Sequence, residues 1–195
     1  MKKIKTNNVL VLFGTSNCGK TSTLRALIEQ LTGQPIPSKY TKDIRVIIPS
    51  YKPKTQGLRK RSTIIVCTCG DSAEVIEDNI RVFRGELPDD KSTMLLKFDN
   101  VSNTYIPISD KKDLSHKSVD ICISACRTSG VVVKAMQYFA SYNLTTVLSV
   151  LWVNQRKLRT KVLGQERTVK KKPNFPKLAS ELKYFIDTKI AVNRI

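Results

Sequence analysis

The chain has 195 residues, of which 41% are hydrophobic, and this length suits one well-buried domain but is marginal for two. Lysine and arginine number 34 against 16 acidic residues, and the formal net charge of +18 favours either an anionic partner or a highly solvated surface. No apolar run approaches the roughly 18 residues of a membrane span, and we expect neither a membrane helix nor a secretion signal.

The five cysteines favour a reducing, cytoplasmic compartment, because their number is odd and four of them lie in or beside predicted strands. Zinc binding is disfavoured, because the spacings of Cys67 with Cys69 and of Cys122 with Cys126 do not fit a zinc knuckle. A buried cysteine behaves simply as a small apolar residue. We therefore expect reduced thiols with a packing role.

A strand, a glycine loop and a helix are predicted near the start of the chain. The apolar run Val9–Phe13 has the length of a buried strand. Apolar residues then recur at the helical spacing i, i+3, i+4 and i+7, and Gly33 supplies a stop signal. The recurring residues are Leu24, Leu27, Ile28 and Leu31.

Residues 14–21, between this strand and this helix, read Gly-Thr-Ser-Asn-Cys-Gly-Lys-Thr. They fit the pattern G-x-x-x-x-G-K-[ST] without a mismatch, in the strand–loop–helix context that the pattern requires. The segment therefore resembles the Walker A motif of the P-loop NTPases. The resemblance is specific over roughly residues 1–33 and weaker, in the order of elements, up to Val153.

The resemblance implies a triphosphate site made from the backbone N–H groups of the loop and the open end of the helix. Lys20 would reach the β- and γ-phosphates, and Thr21 would bind Mg²⁺ through its hydroxyl group. The implied nucleotide-binding residues are Gly14, Thr15, Ser16, Asn17, Cys18, Gly19, Lys20, Thr21 and Ser22.

Six further strands are predicted from apolar runs. Pro49 is expected to end the first of them, and Pro107 favours an edge position for the fourth. The basic segment 51–61 between the first two has no helical pattern, and it predicts either a long hairpin loop or a crossover without a helix. The six runs cover residues 44–48, 63–69, 94–98, 104–108, 120–125 and 145–153.

Three more helices are predicted downstream. The first begins at Asp71 and has Gly85 after its end. The second follows the strand 120–125, and the third closes the chain over about residues 176–190. Their apolar stripes are Ile76, Ile80 and Phe83; Val132, Ala135, Met136 and Phe139; and Leu178, Leu182, Phe185 and Ile186.

Alternating strands and helices predict an α/β fold with a mostly parallel sheet and helices on both faces. The P-loop resemblance implies the same three-layer architecture, in which phosphates bind outside the carboxyl ends of the strands. We expect a single domain over residues 1–195, with a basic segment at 154–172 before the closing helix.

P-loop enzymes place an acidic residue at the end of a second core strand, where it holds Mg²⁺ directly or through water. Asp71 is the first candidate because it follows such a strand, although the residues from Asp71 onward also fit a helix N-cap. Gly70 would let the chain pass close to a phosphate. Asp99 is the alternative acid, whereas Asp120 stands at the start of its strand and is discounted.

Arg127 follows the strand 120–125 and precedes a predicted helix start at Thr128 or Ser129. Its guanidinium group either reaches a γ-phosphate, which suits its fork of donors, or pairs with a neighbouring acid. The predicted catalytic residues are therefore Lys20, Asp71 and Arg127, and the predicted metal ligands are Thr21 and Asp71.

Guanine specificity is not supported by the resemblance. Residues 154–157 read Asn-Gln-Arg-Lys at the place where GTPases carry Asn-Lys-x-Asp. Asp71, with Gly70 before it, is also not the Asp-x-x-Gly of GTPases. We therefore expect ATP rather than GTP.

Two basic clusters, Arg59–Arg61 and Arg156–Lys172, favour contacts with nucleic-acid phosphates or an acidic protein. A lid over the nucleotide phosphates is the alternative for the second cluster, although the lid of small nucleotide kinases precedes the last core strand. Trp152 and Tyr51 lie near the clusters and are candidates to stack on bases, but a place in the core is favoured for both.

The sequence thus predicts an ATP- and Mg²⁺-dependent ATPase or ATP-driven switch that acts with nucleic acid or a protein partner. A small-molecule or nucleotide kinase that uses the same site is the alternative. A nucleotide-binding scaffold with little turnover is a third interpretation. The acceptor of the phosphoryl group separates the first two.

Overall fold

A computed structural model describes residues 8–14, 18–52, 62–114, 119–127, 130–131, 133–134, 147–152, 158–162, 165–169 and 174–190. The strands are β1 (Asn8–Gly14), β2 (Ile44–Tyr51), β3 (Ser62–Cys67), β4 (Met94–Asp99), β5 (Thr104–Pro107), β6 (Ile121–Cys126), β7 (Val147–Trp152), β8 (Leu158–Val162) and β9 (Gln165–Val169). The helices are α1 (Lys20–Thr32), α2 (Ala73–Phe83) and α3 (Phe175–Phe185), with a 3-10 helix at Lys111–Leu114 and a π-helical turn at Ile186–Ile190.

Seven strands form one sheet in the order β5-β4-β2-β3-β6-β1-β7. The pairs β2–β4, β3–β6, β1–β6 and β1–β7 are parallel, whereas β2–β3 and β4–β5 are antiparallel. The predicted α/β class with a mostly parallel sheet is therefore confirmed. The edge position predicted from Pro107 is also confirmed, because β5 is the last strand of the sheet.

The antiparallel pairing of β2 with β3 determines which residues meet at each edge of the sheet. Arg45 near the start of β2 lies opposite Cys67 at the end of β3. The start of β2 therefore lies at the edge where β1, β3 and β6 end. Because β4 runs parallel to β2, the end of β4 lies at the opposite edge.

The prediction that Pro49 ends β2 is wrong, because the strand continues to Tyr51. The register with β3 shifts between Ile48 and Tyr51, and Ser50 has φ 57°. A bulge of this kind accommodates a residue that lacks an N–H donor. β2 then resumes its pairing with β3 at Tyr51, which lies opposite Ser62.

The basic segment 154–172 contains a β-hairpin that its composition did not predict. β8 and β9 pair antiparallel, with Leu158 opposite Val169 and Val162 opposite Gln165. They form a two-stranded sheet separate from the seven-stranded one.

Side chains on alternate positions of the strands belong to two hydrophobic clusters, because successive residues of a strand point to opposite faces. The first cluster joins Leu10 and Leu12 of β1 with Leu24, Leu27 and Ile28 of α1 and Leu178 and Leu182 of α3. The second joins Val9 and Val11 of β1 with Ile76, Val82 and Phe83 of α2. The stripes predicted for α1, α2 and α3 thus pack against the sheet, whereas the stripe of Val132, Ala135, Met136 and Phe139 lies outside the described residues.

The ends of the helices refine the predicted boundaries. α1 ends at Gly33 as predicted, with φ 73° and its N–H donating to Glu29 O at 2.8 Å. α2 begins at Ala73 rather than Asp71, because Ser72 is the N-cap and its hydroxyl accepts from Val75 N. Val131, Val133 and Lys134 are helical, but the other residues predicted for that helix and its cap lie outside the described residues.

A buried polar trio fastens the end of α3 to β2. The Tyr51 hydroxyl donates to Asp187 Oδ1 at 2.6 Å and accepts from Lys183 Nζ at 2.8 Å. Burial, and then the Asp187 carboxylate, hold the pKa of Tyr51 well above its usual range. Tyr51 is therefore a core residue, which was the favoured prediction. The side chain of Trp152 lies outside the part of the chain that is described.

Within the described ranges, every helix is too short or too polar to cross a membrane.

Candidate functional site

A cleft of about 290 Å³ opens at the edge where β1, β3 and β6 end. It contains the start of α1, the segment that follows β3 and the first residue of α3. Thr15, Ser16 and Asn17 of the predicted loop lie outside the described residues. The lining residues are Gly19, Lys20, Thr21, Ser22, Thr68, Cys69, Gly70, Asp71, Ala125 and Phe175.

Lys20 is the first residue of α1, and its side chain is 6% exposed. Its Nζ donates to the carbonyl oxygen of Gly14 at 2.9 Å and lies 3.9 Å from Cys18 Sγ. The amine is therefore held back against the end of β1, beside the start of the helix.

Asp71 brings the three predicted catalytic residues together. Its Oδ1 lies 3.7 Å from Lys20 Nζ and 3.5 Å from Arg127 Nε. Its side chain is 57% exposed, so the carboxylate is open to a ligand. Because Ser72 caps α2, the alternative role predicted for Asp71 as a cap is wrong. The neighbouring acid predicted for Arg127 is Asp71 itself.

Gly70 places Asp71 beside Arg127. A Cβ atom at Gly70 would lie 1.8 Å from the carbonyl oxygen of Ala125, closer than any real contact. Glycine is therefore required here for close approach to the backbone of β6, whereas the sequence suggested close approach to a phosphate. The chain leaving β3 is thus pressed against the end of β6.

Gly19 meets an aromatic ring. It has φ 97°, and a Cβ atom there would lie 2.1 Å from Cε1 of Phe175. A side chain at this position would be strained and would also displace the ring. Phe175 was not predicted as a site residue, and no local signal connects it with a glycine so distant in the sequence.

Asp43 lies next to the cleft and forms a second polar group with the lining residues Thr21 and Thr68. Thr21 Oγ1 lies 3.1 Å from Thr68 O and 3.3 Å from Asp43 Oδ1, and Thr68 Oγ1 also lies 3.3 Å from that carboxylate oxygen. Asp43 was missed because it precedes a strand. The sequence did contain one signal for its position, the lack of a helical pattern between β2 and β3. Such a connection allows the two strands to pair antiparallel, which places the start of β2 beside the end of β3.

The oxygen atoms of Thr21, Asp43 and Asp71 are hard donors of the kind that Mg²⁺ prefers. Among the described residues, no three His, Cys, Asp or Glu side chains gather closely enough to hold a metal ion by themselves. Mg²⁺ usually takes only one or two carboxylates and completes its shell with water and substrate phosphates. The donor set therefore fits Mg²⁺ bound together with a phosphate ligand.

The other two acids of the sequence argument lie away from the cleft. Asp99 ends β4 at the opposite edge of the sheet, where it accepts hydrogen bonds from Ser102 Oγ and from the N–H groups of Val101 and Ser102. These bonds lower its pKa. Asp120 accepts from Thr63 N at 2.8 Å at the start of β6. Asp99 is therefore excluded as the alternative acid for holding Mg²⁺. The prediction that Asp120 stands at the start of its strand, away from the site, is confirmed.

All five cysteines are buried and free of disulfides. Burial raises the pKa of Cys18, and the nearby Lys20 offsets only part of this effect. Burial also raises the pKa values of Cys69 and Cys126 to about 11. These three thiols are therefore protonated at neutral pH, so they supply no thiolate to the cleft.

A buried hydrogen-bond network connects α2 with the end of β3 and with β6, next to the cleft. Asn79 of α2 donates to Cys69 O at 2.9 Å and to Ser124 Oγ at 3.1 Å. Its Oδ1 accepts from Nε of Arg45, which is completely buried, and Arg45 Nη2 lies 3.6 Å from Asp78 Oδ2. The network ties the end of β3 to β6, and it was not predicted from the sequence.

No protein-family model, no curated protein and no solved structure matches this chain. Function is therefore inferred from the cleft itself. The start of α1 offers backbone donors and the positive end of the helix dipole, and Lys20 and Arg127 add two positive charges. Such an arrangement has the charge and the donors that suit a phosphate-rich anion.

Proposed function

We propose that the protein binds ATP with Mg²⁺ in this cleft, within a three-layer P-loop fold, and works as an ATPase or ATP-driven switch. The observation that carries the proposal is the meeting of Lys20, Asp71 and Arg127 at the start of the helix that follows the G-x-x-x-x-G-K-T segment. The two hydrophobic clusters, one with α1 and α3 and one with α2, support the three-layer fold.

Lys20 is suited to stabilise the negative charge of the β- and γ-phosphates. Its Nζ exchanges the carbonyl oxygen of Gly14 for phosphate oxygens when the nucleotide binds. Arg127 is half-exposed and reaches the cleft beside Asp71, so its guanidinium group adds donors on the same side. Charge stabilisation of this kind contributes most of the catalysis in phosphoryl transfer.

Thr21, Asp43 and Asp71 would hold Mg²⁺, which when bound neutralises charge on the phosphates. Asp71 also has a second task available, because its carboxylate is exposed while its Oδ1 is fixed between two cations. It accepts a hydrogen bond from the attacking water and orients that water toward the γ-phosphate.

The test of the nucleotide site is Lys20→Met, measured by calorimetry with ATP and Mg²⁺. Methionine keeps an unbranched apolar stem but removes the charge and the hydrogen bond to Gly14 O, so melting curves are recorded to establish that the variant is folded. We expect ATP binding to weaken by at least 10-fold. The control is Lys112→Met, an exposed lysine of the 3-10 helix, which should bind normally. Equal ATP affinity in Lys20→Met and the wild type would refute the proposal.

The reaction is tested with ATP labelled at the γ-phosphate. An ATPase or switch releases the label as free phosphate, at a rate that rises when its partner is present. Transfer of the label to an added nucleotide or small molecule would favour the kinase alternative. Binding without either outcome would leave a nucleotide-binding scaffold.

The proposed partner is nucleic acid, contacted by the basic segment Arg156–Lys172 together with Arg59–Arg61. Its support is the net charge of +18 and the basic hairpin of β8 and β9. Each phosphate neutralised on duplex DNA contributes about −0.9 to the slope of log K against log salt. Replacing Lys170, Lys171 and Lys172 with glutamine should reduce the steepness of that slope by up to roughly 2 to 3. Absence of nucleic-acid binding at low salt would exclude this partner.

We also propose a cytoplasmic location, which is supported by five buried cysteines that form no disulfide.

A further inference from the structure

The cleft contains one large apolar group, the ring of Phe175. Among the described lining residues, Phe175 is the only aromatic one. Its Cε1 and Cζ atoms lie 2.1 and 2.6 Å from the place where a Cβ atom of Gly19 would be. The ring is half-buried, so one part packs on the loop and the remainder is accessible from the cleft.

The charged groups of the cleft approach from different elements. Asp71 follows β3 and lies 3.7 Å from Lys20 of α1 and 3.5 Å from Arg127, which follows β6. Phe175 instead comes from α3 and meets Gly19, the residue before Lys20. A nucleoside triphosphate has the same division, because its terminal phosphates are anionic and its base is flat and largely apolar on both faces.

We propose that Phe175 is the platform on which the base of the bound nucleotide stacks. The inference rests on the proposed nucleotide site and adds a specificity-determining residue to it. Stacking of a base on an aromatic side chain is favourable whichever base is present, because every base has a π-face. Phe175 therefore contributes affinity to ATP and GTP alike, and any discrimination between them comes from other groups.

The backbone that carries Phe175 is well fixed. Asn174 Oδ1 caps α3 by accepting from Lys177 N at 3.1 Å, and Gln30 of α1 donates to Pro176 O at 3.0 Å. Leu178 and Ala179 are buried in the cluster that also contains α1. A ring held in this way loses little conformational freedom when a base stacks on it, so most of the stacking energy appears as affinity.

The test compares wild type, Phe175→Ala and Phe175→Tyr by calorimetry, each with ATP, GTP and inorganic tripolyphosphate in the presence of Mg²⁺. Tripolyphosphate presents the phosphates without a base. We expect Phe175→Ala to weaken ATP and GTP binding by about 5- to 150-fold while tripolyphosphate binding changes by less than about twofold. Phe175→Tyr keeps the ring, so it should bind all three like the wild type. Melting curves establish that each variant is folded.

Two results would overturn the inference. If Phe175→Ala binds ATP as tightly as the wild type, the ring makes no contact with the base. If it binds ATP and tripolyphosphate more tightly, the ring obstructs the phosphate site. The proposed nucleotide site itself fails only if the wild type binds neither ATP nor tripolyphosphate, an outcome that differs from both of these.

Discussion

The Nζ atom of Lys20 lies 3.7 Å from Oδ1 of Asp71, so a buried amine meets a carboxylate that is open to solvent. Arg127 Nε lies 3.5 Å from the same oxygen atom. One carboxylate oxygen thus balances two cations in the cleft. Under the proposed function, a phosphate group that enters the cleft would compete with Asp71 for both cations, and the carboxylate would then be available to orient water.

Asp71→Asn separates binding from turnover. The amide keeps the shape of the side chain and removes its charge, so it cannot orient water as a carboxylate does. We expect phosphate release to slow by about 10²- to 10⁴-fold. The unfolding free energy should change by no more than about 0.5 kcal/mol, because the side chain is largely exposed and Ser72 is the helix cap. Steady-state phosphate release and thermal melting are measured.

The control for this variant is Glu74→Gln, an exposed acid on the first turn of α2. It should hydrolyse ATP at the wild-type rate. Wild-type turnover in Asp71→Asn would show that Asp71 has no part in the reaction.

Asp43→Asn should change the dependence on Mg²⁺. Asparagine keeps an oxygen near Thr21 and Thr68 but removes the negative charge. We expect the Mg²⁺ concentration for half-maximal ATP hydrolysis to rise by about 10- to 100-fold. The matched control is Asp99→Asn, which lies at the other edge of the sheet and should leave this concentration unchanged. A Mg²⁺ titration in which the two variants behave alike would contradict the assignment.

Asn79→Leu should destabilise the fold strongly. It leaves Cys69 O, Ser124 Oγ and Arg45 Nε without the hydrogen bonds that Asn79 makes, all of them buried. A buried polar group left unsatisfied costs about 1–3 kcal/mol, so we expect a total loss of about 3 kcal/mol or more in urea unfolding. Asn100→Leu is the control, because Asn100 is exposed and donates only to Pro49 O. Equal losses in the two variants would contradict a supporting role for the network.

Stability should fall at alkaline pH because of Cys69 and Cys126. Their pKa values rise from 9.0 to about 11 on folding, so above pH 9 the unfolded chain releases these protons first. The stabilising effect is complete below pH 9 and is lost as the pH rises to about 11, by about 1.4 kcal/mol per pH unit for each thiol. Urea unfolding at pH 8, 9 and 10 measures this. Cys126→Ala should show a shallower decline than the wild type, and an identical decline would exclude Cys126 as a cause.

The local part of the candidate site was predictable from the sequence. The apolar run of β1, the glycines and the helical spacing of α1 are all encoded within a short segment, and Gly33 marks the helix end. Asp71 and Arg127 were also predictable, since parallel strands end at the same edge of a sheet. Residues that follow such strands are brought together wherever they stand in the chain.

The other residues of the site depend on contacts that no local pattern specifies. Asp43 lies next to the cleft because β2 runs antiparallel to β3, and the sequence left a hairpin loop and a crossover open for this connection. Phe175 lies there because of how α3 packs against α1, which the apolar stripe of α3 does not determine. The network of Arg45, Asp78 and Asn79 was missed because charged and amide side chains are ordinarily exposed.

The hydrogen bond between Tyr51 and Asp187 joins residues that are 136 positions apart. During synthesis on the ribosome, Tyr51 of β2 therefore cannot form its hydrogen bond with Asp187 until almost all of the described chain has emerged. Until then α1 lacks the cover that Leu178, Ala179 and Leu182 give it, and the part of its apolar surface that packs on α3 faces water. A chain that stops before α3 consequently exposes apolar surface that the complete fold covers, and such exposure favours aggregation, even though the segment of residues 14–21 has already been made.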